Sequence, residues 1–385
     1  MAMNIDLFIE MLKIDSTTGS EAALSQFLAD RLITPACTLR RYAVEAMSAE
    51  CRPDHSCPEN LFFVWGEPKL VFCSHLDTVP PYIPPKKIYD HKSGDLMRIE
   101  GRGTCDAKGQ IFAMYEACLE LEKRGYTDFG LLLLAGEETG SYGAKTFSVN
   151  LPEGMSTSPV VIVGEPTDNM MASAAKGTKA FELTFTGSPC HSGYPQYGVS
   201  AIEMFHDFMN ALRSIRFPYD EVLGETTWNI GRLVSDNPQN ILSEKLTCRL
   251  YFRTTFESDE MVVNIMKNIF GPEARLRFGR PKVQDGSDVV AKDVAPWQLA
   301  MNVVSLGGDL PLKYTVLEGF DCKPVAFGSD APHLTCFRDR ILCGPGSILT
   351  AHRPEEYIDI ADLEQAKQNY IRMYETLRPT IEKRY

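Results

Sequence analysis

KLVFCSHLD, residues 69–77, is an apolar run that ends in a histidine and an aspartate. That is the pattern of a buried strand whose last residues leave the sheet carrying chemistry. Two later runs share the form: FGLLLLAGEE (129–138) ends in two glutamates and PVVIVGEP (159–166) ends in one. Helical spacing over 110–124 separates the first run from the second, and a short helix near 142–147 separates the second from the third. Strands alternating with helices predict an α/β layer with a largely parallel sheet, in which function gathers at the C-terminal strand ends.

Upstream, IDLFIEMLKI (5–14) and EAALSQFLADRLI (21–33) read as amphipathic helices, followed by strands TLRRYAV (38–44) and NLFFVW (60–65). After Lys176-Gly177 the character changes to long alternating strands, TKAFELTFTG (178–187), TTWNIGRLVS (226–235) and KLTCRLYFRTT (245–255), with helices at 201–215 and 260–269. With a last strand at EARLRFGRPKV (273–283) before the turn DGSD, the order is β-α-β-β-α-β, which predicts a ferredoxin-like α+β insert. From about residue 291 helix and strand alternate again: PWQLAMNVVSLG (296–307) reads as a helix, RILCGPG (340–346) as a strand and ADLEQAKQNYIRMYETL (361–377) as a long helix. The expected organisation is a first domain over 1–176, an inserted domain over 177–290, and a return to the first domain over 291–385.

Composition narrows the class. The 385 residues, 44% hydrophobic and 23% charged, are those of a globular protein large enough for two cores. A net charge of -12 gives no general attraction to phosphate backbones, so nucleic acid is excluded as a partner. The longest apolar run, 129–135, is far below the ~18 residues that span a bilayer, and the N-terminus carries acids where a signal peptide carries Lys or Arg. A cytoplasmic protein is expected. Eleven cysteines, with no CxxC pair, read as reduced thiols; Cys51 and Cys57 in CRPDHSC read as loop thiols rather than a small zinc or redox site.

The strand ends carry metal-ligand residue types: His75-Leu76-Asp77, Glu137-Glu138, Glu165 and, near the C-terminus, His352. Asp106 joins them from the Gly-rich turn GRGTCDAKG (101–109). Imidazoles with several carboxylates suit Zn²⁺, Co²⁺ or Mn²⁺. Residues i and i+2 of an extended chain share a face, so Asp77 is placed to accept the second N–H of His75 and fix its metal-binding tautomer. Adjacent residues diverge, so of Glu137 and Glu138 one binds metal while the other faces the cavity and handles a proton.

SHLDTVP (74–80), GRGTCDAKG, GEETGS (136–141), GEPT (164–167), GSPCHSGYPQYGVSAI (187–202) and the closing GPG…AHRPEE (344–356) together resemble the co-catalytic zinc deacylase and exopeptidase family. Its members include acetylornithine deacetylase, succinyl-diaminopimelate desuccinylase, aminoacylase, carboxypeptidase G and several di- and tripeptidases. The resemblance implies a zinc-exopeptidase-like α/β fold and two divalent metal ions, zinc foremost, with cobalt or manganese as alternatives. Asp106 would bridge them, His75 and Glu165 completing one site and Glu138 and His352 the other, with Glu137 as general base. The insert corresponds to a lid that usually dimerises, and His191 to a histidine that reaches the partner's site to stabilise the tetrahedral intermediate. Asn240 and Arg253 match positions that bind a substrate carboxylate, and Ser329 lies in a loop resembling a substrate-lining one. The chain departs from the family pattern at Ala107, where Met is common, and at Ser243, where Pro is common. Cys105 reads as a packed thiol.

The implied activity is hydrolysis of the amide of a small N-acyl amino acid, acetylornithine deacetylase-like in the first place. Desuccinylase-like activity or metallo-exopeptidase action on di- and tripeptides are the alternatives. A non-catalytic metal-binding protein is the remote one, and retention of Glu137 speaks against it.

Overall fold

A computed structural model describes residues 3–47, 58–149, 160–269, 283–284, 287–288 and 301–382. The chain divides into two compact units: Met1–Ser173 with Lys313–Lys323 and Ser329–Tyr385, and Ala174–Leu312 with Pro324–Gly328.

The first unit is built on a six-stranded mixed sheet, in the order Thr38–Ala43, Glu59–Gly66, Asp128–Leu134, Leu70–His75, Val160–Val163, Asp339–Leu342. The last four strands of that order run parallel, and the first two pair antiparallel at one edge. Every residue of Leu70–His75 and of Val160–Val163 is buried. Burial on both faces is why these strands read as continuous apolar runs and not as alternating ones. The helix Lys108–Lys123 packs on Leu70–His75 and against the long helix Ile360–Glu382, while Tyr142–Val149 packs on Glu59–Gly66. Stacked pairs Trp65–Phe129 (4.8 Å) and Phe8–Phe112 (4.9 Å) fill the layers between.

A second, three-stranded antiparallel sheet of the same unit joins Lys86–Tyr89, Leu96–Glu100 and Tyr357–Asp359. The sequence reading missed it because its strands are short and half-exposed, with no apolar run to announce them. It matters for position: pairing Tyr357 with Glu100 lays AHRPEE beside the start of GRGTCDAKG, and Gly101 N–H donates to the Glu356 carbonyl at 2.8 Å.

The second unit is a four-stranded antiparallel sheet in the order Thr227–Val234, Lys245–Thr254, Gly177–Thr186, Met301–Gly307, with helix Ala201–Ser214 packed on its two central strands. Numbered along the chain the order is 4-1-3-2 read from the far edge, the ferredoxin-like arrangement. Phe181, Leu183, Phe185, Leu250 and Phe252 alternate inward onto Phe208 and Leu212 of the helix, the period of two that marked these strands in the sequence.

Two expectations change here. The segment read as a helix at 296–307 is described only from residue 301, where Met301–Gly307 is an edge strand paired with Gly177–Thr186. Its apolar spacing suited a helix, but Val303, Val304 and the long-range ladder settle it as a strand. The sixth element of the insert is therefore Met301–Gly307, and the second boundary falls after Leu312 rather than at 290. The strand expected at 273–283 lies outside the described residues except for Val283, which with Gln284 pairs across the turn to Ser287–Asp288. Cys51 and Cys57 also lie outside the described residues. No described helix is long and apolar enough to cross a membrane.

Candidate metal centre

The parallel strands Leu70–His75, Asp128–Leu134 and Val160–Val163 end together and deliver His75, the Glu137–Glu138 pair and Glu165. Asp106 comes instead from the turn before Lys108–Lys123, and His352, expected at a strand end, from the loop between Asp339–Leu342 and Tyr357–Asp359. His75 is the last residue of Leu70–His75, 2% exposed. Its Nδ1 lies 2.9 Å from the Asp77 carbonyl oxygen, an atom that can only accept, so the Nδ1 proton is fixed there. The Asp77 carboxylate is farther off, at 3.4 Å. The second N–H of His75 thus goes to the Asp77 backbone and not, as the shared face suggested, to its carboxylate. Its fully buried carboxylate does other work, accepting the Glu137 N–H at 3.0 Å, the Glu138 N–H at 3.1 Å and the Thr18 hydroxyl at 3.0 Å.

Those two N–H groups open a four-residue helical turn, Glu137–Gly140, entered through Gly136 at φ 71°. The positive φ favours glycine there, since a side chain would be strained at that angle and would displace the end of Met47. The sequence placed the glutamate pair on extended chain, but the strand has ended at Leu134. The divergence of the pair survives because neighbouring residues of a helical turn also point apart.

Asp106 stands between two histidines: His75 Nε2 is 3.0 Å from Oδ1 and His352 Nε2 is 3.3 Å from Oδ2. His352 Nε2 is also 3.1 Å from Glu138 Oε1. Ligand atoms of His75, Asp106 and Glu138 all lie within 4.8 Å of one another. Bonds of ~2.0–2.1 Å to a tetrahedral ion place ligand atoms about 3.3 Å apart, so these separations fit the edges of a metal polyhedron. Glu165 is 4% exposed and its Oε1 has no hydrogen-bond partner. Among the described residues no Lys or Arg pairs with Asp106, Glu137, Glu138 or Glu165, although Arg and Lys pair with buried acids elsewhere, as in Arg102–Glu356 and Lys367–Glu116. A buried cluster of carboxylates without cations is the electrostatic condition that a divalent ion relieves.

Protonation tells the same story. Burial pushes Glu137 and Glu165 well above the ordinary glutamate range, and the charges of neighbouring acids add to it. Glu138 is raised by burial too, against the His352 hydrogen bond. His352 is carried up to about 10 by its hydrogen bonds to Asp106 and Glu138. Burial opposes the charged form of Asp106, yet the hydrogen bonds from His352 and His75 hold it below the usual carboxylate range. Burial thus disfavours the charged form of three of these acids, the form that a divalent ion would favour.

Glu356 closes the AHRPEE motif. It is fully buried, receives the N–H groups of Cys105 (3.0 Å) and Asp106 (3.1 Å) and pairs with Arg102 at 2.6 Å, which fixes the backbone under Asp106. Cys105 is buried, its thiol 3.5 Å from the Ser347 carbonyl, and Ala107 is buried beside it. Ser329 is 4% exposed, and its hydroxyl is engaged with Tyr314 (3.3 Å) and the Ala331 N–H (3.3 Å), which leaves little of it to line a pocket. Its neighbour Asp330, part of the same Gly328-Ser329-Asp330 loop that resembles a substrate-lining one, is a buried carboxyl lifted to about 6 by burial, within reach of the charges of His75 and Asp77. An acid in GSD carries no sequence signal apart from that short motif.

In the second unit, His191 and Asn240 meet through the backbone: Ser192 N–H donates to the Asn240 carbonyl at 2.9 Å, and His191 bridges Ile241. Both side chains are exposed. His191 Nδ1 accepts the Gly193 N–H at 3.0 Å, so its neutral ring keeps the proton on Nε2 as a donor. Arg253 is half-buried and lies over the Tyr251 ring at 5.0 Å. Ser243 is buried, its hydroxyl 2.7 Å from that of Ser235.

Comparison with known proteins bears on the family and the fold. The profile of peptidase family M20/M25/M40 matches residues 71–376. A "probable carboxypeptidase" of Aspergillus niger is 31% identical over 392 residues, covering 95% of this chain and 88% of its own length. A tripeptidase of Staphylococcus aureus superposes with a TM-score of 0.72 at 20% identity, covering 95% of each chain. A Bacillus subtilis protein described as a dinuclear metal binding peptidase superposes at 0.63 with 10% identity, over 97% of this chain and 98% of that one.

Proposed function

The chain belongs to peptidase family M20/M25/M40 and is a hydrolase, and on that premise we propose that it is a metal-dependent carboxypeptidase, releasing the C-terminal residue of small peptides. One observation carries the reading: ligand atoms of His75, Asp106 and Glu138 lie within 4.8 Å of one another, and Glu137, adjacent in sequence, stands outside that set. Asp106, His75, Glu165, Glu138 and His352 would hold the divalent ions, as the donor set and the unpartnered Glu165 oxygen allow. When bound, the ions supply Lewis acidity for a water and for the scissile carbonyl. His75 offers Nε2 because Nδ1 is committed to the Asp77 carbonyl. Glu137 takes the water's proton and returns it to the leaving amine, a task for which a raised carboxyl is well matched. His191 donates its Nε2–H to the developing oxyanion. Arg253, whose planar fork pairs two oxygens, holds the substrate carboxylate together with Asn240.

An N-acyl amino acid and the C-terminal end of a peptide share one reacting core, an amide whose nitrogen side carries a carboxylate. The acetylornithine deacetylase-like reading of the sequence therefore differs only in the acyl side, and the A. niger relative tilts the choice toward peptides. The test is hydrolysis by the zinc- or cobalt-reconstituted enzyme of N-blocked dipeptides, free di- and tripeptides, N-acetylornithine and N-succinyl-diaminopimelate. Cleavage of an N-blocked dipeptide, lost when its C-terminus is amidated, is the expected result. A requirement for a free N-terminal amine, or activity confined to N-acyl amino acids, overturns it.

We propose further that the chain pairs as a homodimer through the second unit, where the edge strand Thr227–Val234 leaves Leu233 and Val234 more than half exposed.

A further inference from the structure

The segment Asp15–Glu21, DSTTGSE, is a polar link between two helices. In the structure it is zipped along the metal-bearing strand end. Thr78 N–H donates to the Ser16 carbonyl at 3.0 Å, Thr18 N–H to the Thr78 carbonyl at 3.2 Å, and the Ser16 hydroxyl to the Leu76 carbonyl at 2.9 Å, while Thr17 and Thr78 form a parallel bridge. Asp15 Oδ1 accepts the Thr17 N–H at 2.9 Å and stiffens the turn from within. The result of this zipper is one side-chain contact: Thr18 Oγ1 donates to Asp77 Oδ2 at 3.0 Å.

That oxygen also accepts the Glu138 N–H, and Oδ1 of the same carboxylate accepts the Glu137 N–H. Asp77 itself supplies the carbonyl that fixes the His75 tautomer. Thr18 is thus the one side-chain hydroxyl, among the described residues, bonded to the carboxylate that ties the His75 strand end to the turn bearing both glutamates. Without it, Asp77 loses the donor that comes from outside the two elements it joins. An unmatched lone pair in a fully buried carboxylate is then free to draw the group toward another donor.

We propose that Thr18 is a positioning residue of the metal centre, acting through Asp77 on His75 and on the Glu137–Glu138 turn. The proposal rests on the reading of His75 and Glu138 as metal ligands. Partners of this outer kind are worth roughly 10- to 100-fold in metal affinity.

The experiment titrates metal-free full-length protein with Zn²⁺ against a chromophoric chelator, for wild type, Thr18→Val, Thr18→Ser and His75→Ala, with the thermal midpoint of each metal-free protein recorded alongside. Thr18→Val keeps the shape and removes the donor, and is expected to weaken Zn²⁺ binding roughly 10-fold or more while its metal-free midpoint stays near wild type. Thr18→Ser restores the hydroxyl and is expected to restore affinity to within about twofold, and serves as the measure of the claim where Val does not fold. Wild-type affinity in Thr18→Val, or equal losses in Val and Ser, overturns the proposal. His75→Ala separates the two layers: if it still binds Zn²⁺ like wild type, the ligand assignment itself has failed.

Discussion

The strand ends of the first unit and the loops of the second carry candidate residues of opposite physical character. Asp77 and Asp106 are buried, and each is held by at least three polar contacts arriving from separate parts of the chain. His191 and Asn240 are exposed and held by backbone contacts of their own loops. The first group is over-determined, as a site must be whose charges would repel one another without an ion. The second is under-determined, which suits side chains that act on a substrate that comes and goes. Damage to the first group should therefore remove metal and activity together, and damage to the second should remove activity alone.

The largest effect is expected at the bridge. Asp106→Asn keeps the shape but removes the negative charge that His75 and His352 share, so metal content should fall at both sites and hydrolysis to background. Metal analysis after dialysis, read beside activity, checks this, and full metal content in the variant would break the contrast at its firmest point. Chelation of the wild-type protein should abolish activity in the same way, with Zn²⁺ or Co²⁺ restoring it.

Glu137→Gln cuts across the contrast, because Glu137 lies in the first unit yet outside the ligand set. Removing a general base costs about 10²- to 10⁴-fold in kcat. Metal content should stay near wild type, and loss of metal along with activity would make Glu137 a ligand and Glu138 the candidate base.

How legible was all this in the sequence? The parallel core was legible because burial on both faces forces continuous apolar runs at 69–77, 129–138 and 159–166, and the insert because its strands alternate. The ligand types were legible because they punctuate those runs. Met301–Gly307 was not, since an edge strand with one half-buried face imposes little pattern and owes its identity to a partner more than a hundred residues away. Thr18 and Glu356 were not, because what they do exists only as contacts: a threonine in DSTTGSE has no spacing that points to Asp77. The glutamate pair was read on extended chain where there is a helical turn, because the end of the strand at Leu134 leaves no break in the apolar pattern before Gly136.

His191→Ala tests the exposed side of the contrast. Loss of one oxyanion donor costs about 10²- to 10³-fold in kcat, and metal content should not move. If the histidine acts in the partner's site, co-refolded Glu137→Ala and His191→Ala chains form mixed dimers in which one site carries both lesions and the other neither. With random pairing about half the dimers are mixed and half of their sites work, so about a quarter of wild-type activity should return. A mixture as inactive as its parents, with subunit exchange demonstrated, places His191 in its own chain's site or in none.

The smallest effect on activity is expected at Glu21, a fully buried acid of the first unit that belongs to neither group. Burial, reinforced by the charge of Asp77, raises its carboxyl from 4.5 to about 8. The folded chain thus holds this proton across a range in which the unfolded chain has released it. Stability from this group is greatest below about pH 4.5, declines as pH rises toward 8 and is level beyond. Glu21→Gln supplies the neutral form permanently, so its thermal midpoint should match wild type near pH 4.5 and exceed it by a growing margin up to pH 8, with kcat near wild type at pH 7. A midpoint difference that does not change with pH would mean that the carboxyl does not titrate in that window. A large loss of kcat would mean that burial in the first unit is itself enough to mark a residue as part of the machinery, and the contrast would then rest on depth alone and not on which groups touch the metal ligands.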